Sequence, residues 1–130
     1  MEDYIKREID KIGKMLAAII QKIGVLKETK SDDVVNVAKL ELVEGLNLDI
    51  DELLQKEEFI EILIQEHHFN NDNLEKFADL IFDFIEATDD TDEKQNLIRC
   101  IVNIYKYLDE SSNTISFHRH YILKELKKYL

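Results

Sequence analysis

A chain of 130 residues fits one domain and can bury one real core. Zero proline, three glycines, one cysteine and 45% hydrophobic residues favour helices joined by polar caps, and exclude an intramolecular disulfide and a cysteine-only zinc site. The formal net charge of -11 disfavours nucleic acid and anionic membrane surfaces, both of which need clustered Lys and Arg.

The first element is the most periodic. Ile5, Ile9, Ile12, Leu16, Ile19, Ile23 and Leu26 alternate spacings of four and three, an a/d seam sustained over about three heptads. The spacing predicts a long amphipathic helix over 1–27. Met15 and Ile20 widen its stripe toward a second neighbour, and Gly24 is expected near its end. The stretch 31–130 reads as a compact helical-hairpin body of the same single domain. Its first helix opens at Ser31 or Asp32 and turns Val34, Val35, Val37, Ala38, Leu42 and Leu46 inward. Asp49 and Glu52 form a capping box before a short element. "KEEFIEILIQEHHF" places Phe59, Ile60, Leu63, Ile64 and His67 on one side. Asp72 and Glu75 repeat the box, and Leu74, Phe77, Ala78, Ile81, Phe82 and Ile85 follow as a core face. Asp90 and Glu93 open the next helix, with Leu97, Ile98, Ile101, Ile104, Tyr105 and Leu108 inward. The last helix opens near Asn113, packs Ile115, Ile122, Leu123 and Leu126, and ends in lysines that suit a negative helix pole.

No strand pattern competes, so the fold class is all-α: a long N-terminal helix followed by antiparallel helical hairpins. The stretches 34–68 and 74–109 each span about one helix pair, near the 34-residue period of tetratricopeptide (TPR) repeats. The Trp, Leu-Gly and Pro positions of that repeat pattern are absent.

"DYIKREIDKIGKML", "FADLIFDFIE" and "IYKYLDESSNTISFHRHYILKEL", in that order, resemble an uncharacterised family of small bacterial proteins with a TPR-like all-helical fold. That family typically opens Asp-Tyr-Ile-x-Arg-x-Ile, matched here by Asp3, Tyr4, Ile5, Arg7 and Ile9. The likeness covers the first helix and the C-terminal half; residues 28–70 depart from it. It implies a fold and no catalytic residue.

Residues that carry chemistry elsewhere have structural explanations here. His67 and His68 are neighbours, about 100° apart on a helix, and no acid or histidine stands three or four places before either. They read as a helix ending, with Asn70 as the left-handed stop. His118 and His120 lie about 200° apart and cannot form a local metal pair; the sequence leaves open whether all four histidines converge in the fold. Phe117, His118 and Tyr121 are expected to form an aromatic edge over the last helix junction. Cys100, between Ile98 and Ile101, reads as buried filler. The acidic row from Asp83 to Glu93 lacks the central glycine of a calcium loop. No catalytic, cofactor or metal residue is assigned.

No apolar run approaches the roughly 20 residues that span a bilayer, and Asp3, Glu8 and Asp10 rule out a signal peptide in the opening. The expected setting is the cytoplasm. The expected function is a non-enzymatic protein-interaction or self-association module. Its candidate partner-binding residues are Ile5, Ile9, Ile12, Leu16, Ile19 and Ile23, with Arg7 and Lys11 as charge readers, and a homodimer through the first helix is one form of it. The same seam reads equally as the chain's own core, and the sequence leaves that choice open. The alternative is a small metal-dependent enzyme whose histidines and acids meet only in the fold. Charge is segregated: +2 over residues 1–30, -16 over 31–110 and +3 over 111–130. The plain reading is a set of solvated helix faces; the sharper alternative is that the terminal helices dock on the acidic body, their own or a neighbour's.

Overall fold

The computed structural model describes residues 2–28, 33–112 and 116–130, and among these no strand occurs. The helices are α1 (Glu2–Glu28), α2 (Val34–Leu46), α3 (Ile50–Leu53), α4 (Phe59–His67), α5 (Asn71–Ala87), α6 (Thr91–Ser112) and α7 (Phe117–Leu126), with a closing 3-10 turn at Lys127–Tyr129. At 1.5 Å per residue α1 is about 40 Å long. It runs through Gly24 instead of stopping there, because an exposed glycine inside a strongly periodic helix costs only about 1 kcal/mol. The proposed openings at Ser31, Asp32 and Asn113, and Ile115 with them, lie outside the described residues, as does the side chain of Leu26.

Helix α5 is the centre, and its sequence shows why. Asn73, Phe77, Leu80 and Phe84 make one buried stripe, and Leu74, Ala78, Ile81 and Ile85 make a second. Two stripes need two partners, and α5 packs against both α1 and α6. Phe82, expected inward, lies between buried and exposed. Within the pairs α1/α2, α5/α6 and α6/α7 the helices run antiparallel, whereas α1 and α5 meet through their N-terminal halves, Ile9 and Gly13 against Asn73. Lys22 pairs with Glu41 at one end of α1 and α2. Asn71 reaches Ser111 (3.1 Å) at one end of α5 and α6, and Thr88 reaches Glu93 (3.3 Å) at the other. Arg119 meets Asp109, and Gln95 donates to the Tyr129 carbonyl (2.8 Å), at the two ends of α6 and α7. The helices α2, α1, α5, α6 and α7 are thus successive neighbours.

Two close approaches fix the assembly. A Cβ at Gly13 would stand 2.9 Å from Asn73 Oδ1, so glycine lets α1 come down onto α5. There the buried Asn73 donates Nδ2 to the Ile9 carbonyl at 3.1 Å, which satisfies its amide inside the core. Lys39 of α2 pairs with Asp51 (2.9 Å) and Glu93 (3.5 Å), tying α2 to α3 and α6. Burial pulls its ammonium pKa down, but the two carboxylates outweigh that and hold it raised.

Candidate functional site

The eight candidate residues of α1 divide into two groups. Ile12, Leu16, Ile19 and Ile23 are buried in the chain's own core, under α2 and α5. A partner cannot reach them while the chain is folded. Ile9 is half-buried, whereas Ile5, Arg7 and Lys11 are exposed. Tyr4 at 65% and Ile5 at 44% exposure continue the helix beyond the point where its neighbours cover it. The same apolar stripe is core at one end and free surface at the other.

Next to this overhang, α2 and α4 end in the same way. Leu48 N–H returns to the Leu42 carbonyl (3.2 Å) and Phe69 N–H to the Leu63 carbonyl (3.0 Å). Asn47 (φ 52°) and His68 (φ 59°) take the left-handed position between. This is the Schellman ending, closed by the buried pairs Leu42 with Leu48 and Leu63 with Phe69. His68, not Asn70, is therefore the left-handed stop, because burial of Phe69 sets the register. Asn70 caps α5 instead, accepting from Asn73 N–H at 2.9 Å, so Asp72 lies inside the helix and the expected Asp72–Glu75 box does not open it. Glu8, Lys11, Glu44, Glu66, His67 and His68 are among the residues around a cleft of about 280 Å³ at these ends.

Among the described residues no three His, Cys, Asp or Glu are arranged to hold a metal. His118 Nε2 lies 2.7 Å from Asp79 of α5, and His120 is exposed. Beside them is the residue that sequence reasoning missed. Arg119 is only 8% exposed; its Nε and Nη2 both donate to Glu75 Oε1 (2.7 and 2.6 Å), and Nη1 donates to Asp109. Burial pulls its pKa down, but the two carboxylates outweigh that and keep the guanidinium charged. Its signal was spacing: Arg119, Ile122 and Leu126 stand at i, i+3 and i+7, one stripe of one helix. The buried Tyr105 hydroxyl accompanies this cluster without a hydrogen-bond partner among the described residues. Burial first, then Asp79 and Glu75, push its pKa up, with Arg119 opposing.

With Arg119 inside, α7 is turned the unusual way round. Its inner face is Arg119, Ile122 and Leu126; Phe117 (87% exposed) and Tyr121 (59% exposed) stand opposite, beside the exposed Lys124. The expected aromatic edge over the junction is not packed; it faces outward. Cys100 is fully buried near the Leu54 carbonyl (3.9 Å), and burial pushes its thiol up to about 11 although Arg99 pulls the other way. No protein family, curated protein or solved structure matches the chain.

Proposed function

We propose that the chain is a non-enzymatic protein-interaction module whose contact surface is the first turns of α1. The observation that carries this is the divided seam: Tyr4 and Ile5 are exposed on a helix whose later turns are locked into the core. A rigid helix that presents apolar side chains to solvent loses little conformational entropy when a partner covers them. Arg7 and Lys11 are exposed alongside, as are Asp3 and Asp10, so these turns offer that partner charges of both signs. The TPR-like arrangement, the likeness to the bacterial helical family and the cytoplasmic setting belong to the same proposal. Support for the first comes from the antiparallel α1/α2 and α5/α6 pairs.

A photo-cross-linking residue at position 4 or 5, in cells, tests it against the same residue at the exposed Gln21. Positions 4 and 5 are expected to capture one protein that Gln21 does not. Equal labelling from all three positions would refute the proposal. Ile5→Asp is expected to abolish capture and leave stability within about 0.5 kcal/mol, as at other exposed positions.

A further inference from the structure

Helix α7 buries an arginine and exposes a phenylalanine and a tyrosine one turn apart. Large aromatics held outward on a fixed helix are typical anchors of protein contacts. They have basic company: His120 and Lys124 are exposed on the same face. At the other edge of the bundle the chain carries the complement. Met15, Ala18 and Ile19 of α1 and Glu41, Glu44 and Gly45 of α2 line an open groove of about 390 Å³. Leu40 and Val43 are exposed on the outer side of α2, beside Glu44. The groove offers an apolar floor with two carboxylates at its rim, Glu44 and the Lys22-paired Glu41, and its volume is that of a small ligand pocket.

We propose that the outer face of α7 docks in the α1/α2 groove of a second copy of this chain. Phe117 and Tyr121 enter the groove, and Lys124 meets Glu44. Helices α2 and α7 do not pack against each other within the chain, so one copy does not satisfy itself. Different patches meeting head to tail make a heterologous contact, which leaves a free α7 and a free groove at the ends of every assembly. The acidic middle of the chain suits a basic stripe better than a lipid surface would, and a foreign protein is not needed to supply the charge. This contact shares no residue with the α1 overhang, so either proposal can fail alone.

Sedimentation velocity of the full chain, from micromolar to millimolar concentration at low and high salt, tests it. The expected result is an average mass that rises past the dimer as concentration increases, once salt screens the repulsion between two chains of net charge -11. Phe117→Asp and Glu44→Lys, both at exposed positions and checked for an unchanged helical spectrum, are each expected to weaken association by about tenfold or more. Mixed together they are expected to form a one-to-one dimer and stop there, because one retains the groove and the other retains α7. A monomer at every concentration would overturn the proposal. A wild-type dimer that never grows, or mutants that do not rescue each other, would overturn it equally.

Discussion

Breaking the Arg119 anchor tests how α7 is held. In Arg119→Met most of the apolar stem remains, so the loss isolates the guanidinium. Hydrogen bonds to charged groups contribute about 1.5–3 kcal/mol each when one partner is buried. The contact to Glu75 belongs to that class, since the Glu75 side chain is only 27% exposed. Asp109 is 59% exposed, and solvent screening limits its share to about 0–1 kcal/mol. A gain opposes both terms, because the arginine no longer has to be desolvated. The carboxylates left behind can hydrate, which keeps the loss below the 3–5 kcal/mol typical of a fully buried broken pair.

The net expectation is a loss of about 2 kcal/mol in urea unfolding followed by far-UV circular dichroism, with an unchanged slope. A double-mutant cycle with Glu75→Gln is expected to return at least about 1 kcal/mol of coupling. Arg119→Lys keeps the charge but not the fork, and is expected to recover less than half. If Arg119→Met unfolds within about 0.5 kcal/mol of the parent, or the cycle is additive, α7 is held by Ile122 and Leu126 alone and the anchor is wrong.

Other expectations concern the two glycines, a strained turn and the thiol. Gly24→Ala meets nothing within 4 Å and is expected to stabilise by about 0.5–1 kcal/mol, whereas Gly13→Ala presses on the fixed Asn73 amide and should forfeit that gain; thermal melts of the pair decide. At the left-handed position of α4, His68→Gly should raise stability by up to about 1 kcal/mol and His68→Val should lower it, and equal melting temperatures would show that the turn carries no strain. Cys100 ionises near 9 when unfolded but only near 11 when folded. The unfolded state therefore binds fewer protons in that window, and stability that is full below pH 9 falls as pH rises toward 11, by about 2 kcal/mol. Cys100→Ala should flatten that slope, and alkylation of the native thiol at pH 8 should be no faster than unfolding.

Most of the core was legible because apolar periodicity is a local signal. Leu97, Ile98, Ile101, Ile104, Tyr105 and Leu108 are all buried as their spacing implies. Half of the Asp90–Glu93 box is made: Asp90 accepts from the N–H groups of Asp92 and Glu93, while its own N–H goes to Thr88 Oγ1. What escaped depends on residues far apart in the chain. Nothing local says where the α1 seam stops being core, since that is set by how far α2 and α5 extend along it. Arg119 escaped because its partners Glu75 and Asp109 lie 44 and 10 residues away, and a charged residue on an apolar stripe is normally discounted. The helix stop was misplaced by two residues because Asn is the commoner left-handed residue, while here the buried Phe69 decides the register.

Size sets what kind of contact α7 can make. A phenylalanine and a tyrosine bury about 150–250 Å² each when fully covered. At their present exposures Phe117 and Tyr121 still have roughly 300 Å² to remove from water, a gross gain of about 7 kcal/mol at 25 cal/mol per Å². Association itself costs about 4–15 kcal/mol, and one helix face against one groove falls well short of the roughly 1,200 Å² of a standard interface. The two aromatics therefore sustain at most a weak contact, which needs the Lys124–Glu44 charge pair and a high local concentration to be populated. That is why millimolar protein is the condition that discriminates. A tight dimer at micromolar concentration would require a larger surface than α7 exposes, and would point to the α1 overhang instead.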